Sequence, residues 1–336
     1  VEYSYSDDEL AFLSAQDSDG FNRWEAVQRL TLVRLQRLTD EVENGQDPTS
    51  IDDLFIGTLR TLLRDESLSP AFRELALTLP SEAFIGEQRT IVDPSAIRAA
   101  RRALARVIGR RLADDWHHIY STLGTPGEYS PAAGPAGRRA LRNLALAYLA
   151  EAEVEGAEPM VRRQLDEATN LTDRQAALSA LINSRMPGHE DTLQQLAREW
   201  QDEPLLMYKW YQLQAMAMAH PDEPPVVERV RRLLQHPGFS LTNPNNVFAL
   251  IRSFCLSNEA EFHRRDGSGY RFWTEQVLAL DRINPTVAAR VARALERWRK
   301  YTPERQAGMR RALEQVATCR PLSRDVREIV TKSLEQ

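Results

Sequence analysis

Only a handful of residues in this sequence combine the types and spacings that chemistry requires. His189-Glu190 is half of the His-Glu-x-x-His zinc signature, in which a second imidazole one helical turn on shares the metal. Position 193 is leucine, so that second ligand is missing. His189 also follows Pro187-Gly188, the setting of a helix start, where Glu190 suits the positive end of the helix dipole. Asp114 and His118 stand at i, i+4 beside Asp115 and His117. They could share a metal or simply pair with each other. Two ligands are too few for a metal site, and no further His, Cys or carboxylate set lies nearby at metal spacing.

Asp266-Gly267-Ser268-Gly269-Tyr270 contains Gly-x-Gly. A phosphate loop needs more glycines or a trailing Lys-Ser/Thr, and a strand before it. Helical patterns flank this stretch on both sides, which predicts a tight helix-to-helix turn with Gly267 or Gly269 at positive φ. No Gly-x-Ser-x-Gly elbow occurs. Trp200, Tyr208, Trp210 and Tyr211 fall at or near one hairpin and could form a stacking platform or pack between helices. Arg290, Arg293, Arg297 and Arg299 are expected on one helix, with Arg290, Arg293 and Arg297 sharing a face at i, i+3, i+7. Such a face is either solvated or an anion site, since arginine grips carboxylates in bidentate fashion.

The elements that must position these residues read as helix after helix. The chain has 336 residues, 42% hydrophobic and 27% charged, and is too long for one ordinary core. Apolar residues recur at helical spacing: Trp24, Val27, Leu35, Leu38 and Val42 form one stripe, and Ile97, Leu104, Val107, Ile108 and Leu112 another. Gly45 ends the first of these helices, and Ser50 is expected to cap a helix over Ile51 to Leu63 with Asp53 answering it. Residues 123–138, rich in glycine and proline, form the strongest break, a sub-domain joint or a long exposed loop. Beyond them, helices of roughly 12 to 18 residues recur in pairs at roughly 35 to 45 residues, the range of helical-repeat solenoids. The fold class is therefore all-α, a superhelical stack of helical hairpins of the ARM/HEAT kind, without a strict consensus repeat. Val1 to Ser6 alternates apolar and polar residues as a strand does, and nothing strand-like follows closely. We expect a short strand remnant here, the end of an upstream domain, with the helical domain running over 7–336.

Composition narrows the partners. The net charge is −5, without the basic excess usual in nucleic-acid binders, so no nucleic-acid partner is expected. No window of about 18 apolar residues exists, so no membrane span is expected. Cys255 and Cys319 are far apart and fit buried apolar positions in a reducing compartment, which points to the cytoplasm.

Seven segments in collinear order carry a family resemblance over nearly the whole chain. They are Asp19-Gly20-Phe21-Asn22-Arg23-Trp24-Glu25-Ala26, Asn170-Leu171-Thr172-Asp173-Arg174-Gln175-Ala176-Ala177-Leu178 and Lys209-Trp210-Tyr211-x-Leu213-Gln214-Ala215. Then follow His236-Pro237-x-Phe239-Ser240-x-x-Asn243-Pro244-Asn245, Phe262-His263-x-x-Asp266-Gly267-Ser268-Gly269-Tyr270, Asn284-Pro285-x-Val287-Ala288-x-Arg290 and Ile329-Val330-x-Lys332-Ser333-Leu334. Together they resemble the C-terminal helical domain of bacterial aminopeptidase N, a zinc metallo-aminopeptidase.

The resemblance implies a parent hydrolase with an N-terminal β domain, a zinc-bearing catalytic domain, a small β-sandwich and this helical domain. Val1 to Ser6 would be the end of the β-sandwich. Zinc and the catalytic residues would lie in the catalytic domain, so no cofactor is expected in this chain and it is predicted inactive alone. Its partners would be the catalytic and β domains of the same enzyme and peptide substrates. The helical domain would close over the active site as a chamber that admits peptides, with family arginines near the peptide's downstream end. Arg290 falls at one such position. A second falls at Phe248, where this sequence departs, and Arg252 one turn on is the candidate substitute. The alternative is a free-standing helical-repeat scaffold that binds a protein partner.

Overall fold

Proline and short polar caps decide where the helices of this chain begin. Pro70, Pro94, Pro204, Pro244, Pro285 and Pro303 each occupy the first position of a helix, where the missing N–H costs nothing. The computed structural model describes residues 4–48, 50–124, 127–184, 186–220 and 222–335. Among them every regular element is helical, as the periodicity predicts, and extended pairing is limited to an isolated parallel bridge between Val92 and Tyr301. Of the strand expected over Val1 to Ser6, residues 1–3 lie outside the described residues. Ser4 to Ser6 run without strand pairing into the first helix, which Ser6 caps through a reciprocal bond with Glu9.

The chain divides into two units, one of Val1–Ile85 and Ala96–Met186, the other of Gly86–Ser95 and Pro187–Gln336. The first unit contains α1 (Asp7–Gln16), α2 (Gly20–Glu43), α3 (Asp53–Arg64), α4 (Pro70–Leu77), most of α5 (Glu82–Glu87) and of α6 (Pro94–Arg111), α7 (Ala113–Thr122), α8 (Ala133–Glu151), α9 (Ala157–Glu167) and α10 (Leu171–Asn183). The glycine- and proline-rich stretch of 123–138 lies inside this unit. Neighbours in sequence pack as hairpins, α1 on α2 and α9 on α10, while α4 lies against α8. Leu30, Leu35, Leu38, Phe55 and Trp116 are fully buried, and Trp116 stacks on Tyr148 at 4.8 Å. The cap of α3 differs from expectation: Asp52, not Ser50, accepts the Phe55 N–H at 2.9 Å. Asp52 is held there by buried Arg34, 3.0 Å away, which also grips Asp7. Ser50 instead presents its backbone carbonyl to Arg37.

The second unit contains α11 (His189–Trp200), α12 (Pro204–Met216), α13 (Val226–Leu233), α14 (Pro244–Val247), α15 (Ser253–Ser257), α16 (Glu259–Phe262), α17 (Ser268–Asp281), α18 (Pro285–Ala292), α19 (Pro303–Thr318) and α20 (Arg324–Glu335). A π-helical turn, Phe248–Arg252, joins α14 to α15, and 3₁₀ turns at Arg293–Leu295 and Trp298–Lys300 follow α18. Its core centres on Phe254, Phe262, Phe272 and Trp273. Residues 86–95 belong here because Val92 exchanges backbone bonds with Lys300 and Thr302, and because Asp93 and Ser95 bond Arg305, which is 1% exposed. Burying that guanidinium is tolerable because Asp93, Ser95, Thr302 and the His263 carbonyl together satisfy it.

Candidate functional site

Arg290 owes its place to α18. Asn284 caps that helix by accepting the Val287 N–H at 3.1 Å, and Pro285 starts it. Val287, Ala288, Val291 and Ala292 are buried, and Trp273 donates its indole N–H to the Val291 carbonyl at 3.1 Å. With that face committed to the core, Arg290 is left exposed. Its guanidinium lies 5.6 Å from the centroid of the Phe248 ring, within the range of a cation–π contact. Among the described residues it holds no carboxylate and no carbonyl.

Phe248 opens the π-helical turn. Ala249, Leu250 and Ile251 are buried, which anchors the turn, and the Ser253 hydroxyl donates to the Phe248 carbonyl at 3.0 Å. That bond spans five residues, the spacing a π turn provides. Phe248 itself is half-buried and Arg252 is exposed, and Arg252 too makes no ion pair among the described residues. In a π turn four residues fall just short of one revolution instead of just past it, so Arg252 stays on the Phe248 side of the helix. The second unit thus exposes two guanidinium groups, Arg290 over the Phe248 ring and Arg252 without an ion pair among the described residues. Both are donors only, suited to carboxylates.

The other arginines expected beside Arg290 are placed differently. They do not share one helix, because α18 ends at Ala292 and residues 298–302 are drawn toward Val92 and the end of α20. Arg293 pairs with Glu296 at 3.0 Å and Arg297 with Glu87 at 2.8 Å. Arg299 lies 4.1 Å from the Trp298 ring and caps α20 through the Ser333 and Leu334 carbonyls.

Of the remaining sequence candidates, Asp114 and His118 are exposed on α7, and the others are taken up in ion pairs, turns and packing. His189 begins α11 after Gly188 and bonds Glu223 at 3.1 Å, whose other oxygen holds Arg229 at 3.0 Å. Asp115 pairs with Arg60 and Arg64. Among the described residues no group of three or more His, Cys, Asp or Glu side chains is placed to hold a metal ion. Gly267 has φ +67° and precedes α17, while a side chain at Gly269 would collide with the Phe262 carbonyl. The turn reading of that segment is the one the backbone supports. Trp200, Trp210 and Tyr211 are buried, Trp210 donating to the Leu193 carbonyl at 2.9 Å and Tyr211 bonded to His236 Nδ1 at 2.9 Å. Burial lowers the His236 pKa, and the Gly238 N–H directed at Nδ1 keeps that nitrogen an acceptor. What sequence reasoning missed is the contact of Phe248 with Arg290. It stands far from Arg290 in the chain, and no periodicity links them.

Residues 7–335 match the family model described as "Domain of unknown function (DUF3458_C) ARM repeats". The chain is 38% identical over 334 residues to aminopeptidase N of Escherichia coli (strain K12), covering 99% of this chain and 38% of that protein. It is 35% identical over 327 residues to aminopeptidase N of Caulobacter vibrioides, covering 96% of this chain and 36% of the relative. A crystal structure of Legionella pneumophila aminopeptidase A in complex with aspartic acid superposes with a TM-score of 0.86 at 28% identity, over 99% of this chain and 39% of that one. The chain therefore spans well under half the length of these relatives. No helix among the described residues is long and apolar enough to cross a membrane.

Proposed function

This chain belongs to the DUF3458_C family of ARM repeats, and from that membership we propose that it is the non-catalytic C-terminal helical domain of a zinc-dependent aminopeptidase N. The observation that carries the reading is the match of 99% of this chain to only 38% of an aminopeptidase. A peptidase of that length has room for the catalytic and β domains that would be this domain's partners. The parent reaction would be hydrolysis of the N-terminal peptide bond of a peptide. Zinc supplies a Lewis acid and an activated water in such enzymes. This chain's own described side chains do not fit zinc, being nowhere grouped to hold it, so no step of the chemistry is assigned to them.

The domain's part would be to wall the substrate chamber, control access to it and offer Arg290 and Arg252 to the downstream end of the peptide. Their exposure and their lack of carboxylate partners among the described residues support that role. A cytoplasmic setting agrees with Cys255 and Cys319 both being free thiols.

Arg290→Ala in the full-length enzyme tests the reading. We expect KM to rise for peptides and to stay unchanged for single-residue amides, which end before the downstream subsite. Equal effects on both would remove Arg290 from that subsite. Titrating the isolated chain into the separately produced remainder of the enzyme tests docking. Saturable binding with altered activity supports a chamber domain, and its absence with a folded chain favours a free-standing scaffold.

A further inference from the structure

We infer that Phe248 is a positioning residue: its ring holds the Arg290 guanidinium by one face, leaving the guanidinium edge free to grip the terminal carboxylate of a peptide. The inference rests on the chamber role proposed above and names the chemistry of its downstream subsite. It does not follow from the sequence, where Phe248 reads as the loss of a cation.

The contact at Arg290 differs from the other arginine–ring contacts among the described residues. Arg29, Arg34, Arg139, Arg142, Arg231 and Arg299 each lie 4.1–5.5 Å from a ring centroid and also pair with a carboxylate or bond a carbonyl. Arg290 has the ring and none of those partners. A long exposed side chain of this kind ordinarily samples many rotamers, and ordering it is part of the cost of binding. Stacking on a half-buried ring removes part of that cost beforehand. It also replaces water on one face of the cation while its edge N–H groups remain available.

The ring is itself held. Its backbone belongs to a π-helical turn whose next three residues are buried and whose first carbonyl is bonded by Ser253. The cation is held from the other side, because α18 is fixed by its Asn284 cap and by the Trp273 bond to Val291.

A guanidinium edge offers donors only. A free carboxylate presents two acceptors that match it, whereas a terminal amide presents one acceptor and two donors. The pair therefore selects short peptides with a free C-terminal carboxylate over their amidated forms.

The test is steady-state kinetics of the full-length enzyme on a tripeptide and its C-terminal amide. Phe248→Leu, which keeps bulk and loses the π face, should lower the ratio of KM for the amide to KM for the free acid by about two- to five-fold, with kcat held. Phe248→Tyr should retain the wild-type ratio. Should the leucine variant fail to fold, Phe248→Met provides the same comparison. Arg290→Ala should lower the preference further than Phe248→Leu does, and adding Phe248→Leu to it should change nothing more. If Arg290→Ala lowers the preference and Phe248→Leu leaves it intact, the positioning role falls while the chamber reading stands. If Arg290→Ala leaves the preference intact, both fall.

Discussion

Lowering the pH should loosen the second unit through His263. Its side chain is 2% exposed, with Nδ1 3.1 Å from the Tyr270 hydroxyl and the ring 4.3 Å from that of Tyr301. Phe262 closes another side, and the Arg305 guanidinium donates to the His263 carbonyl at 2.8 Å. Desolvation by burial, and then the nearby positive charge of Arg305, hold the imidazole pKa down to about 3. In the unfolded chain the same group titrates near 6.5. Between those two values the unfolded chain binds a proton that the folded chain refuses. The resulting contribution is complete above pH 6.5 and is lost as pH falls toward 3. Going from pH 7 to pH 5 crosses about 1.5 units of that window, worth about 2 kcal/mol at about 1.4 kcal/mol per unit. The assay is amide hydrogen exchange of α17 and α19, corrected for intrinsic rates, on the wild type and on His263→Gln. The wild type should lose about 2 kcal/mol more protection between the two pH values than the variant. Carboxylates titrate alike in both proteins and cancel in that comparison. Equal losses would refute the assignment of a neutral, buried His263.

Three further perturbations test the packing that supports the site. Gly269→Ala should destabilise the second unit by about 3 kcal/mol, against about 1 kcal/mol for Gly267→Ala, because the first forces α17 from the Phe262 carbonyl and the second only strains a left-handed residue; urea midpoints rank the two. Asp93→Ala should cost about 3–5 kcal/mol by leaving Arg305 buried without its carboxylate, and exchange at Val92 and Thr302 should rise with it. Asp52→Ala should cost about 2 kcal/mol and Ser50→Ala less than about 0.5 kcal/mol; the reverse order in thermal melts would return the cap of α3 to Ser50.

What the sequence makes legible is what neighbours in sequence decide. Prolines at first helical positions, the acids of α1, the end of α2 near Gly45 and the buried stripes of α2 and α6 all rest on local backbone geometry and a 3.6-residue period. The turn at Gly267 belongs to the same class. Ser50 shows the limit. Two residues at that helix start were chemically able to cap it, and a distant arginine, Arg34, selects between them by pairing with Asp52. Nothing within the helix itself encodes that choice.

The same reasoning explains why the candidate site was only half visible. Four arginines within ten residues look alike in sequence, since each is a cation on a helical period. Their differences come from partners elsewhere: Glu87 holds Arg297, the end of α20 takes Arg299, and the break after Ala292 leaves Arg293 to Glu296. Among the described residues Arg290 has an aromatic ring beside it and no anion. A guanidinium already neutralised by a carboxylate offers little to a ligand. One that is oriented but unpaired retains most of its capacity for a bidentate bond. Selection among equivalent cations therefore lies in which of them the fold leaves unsatisfied. On the reading proposed above, Phe248, where the resemblance implies a second cation, is the side chain that orients the remaining one.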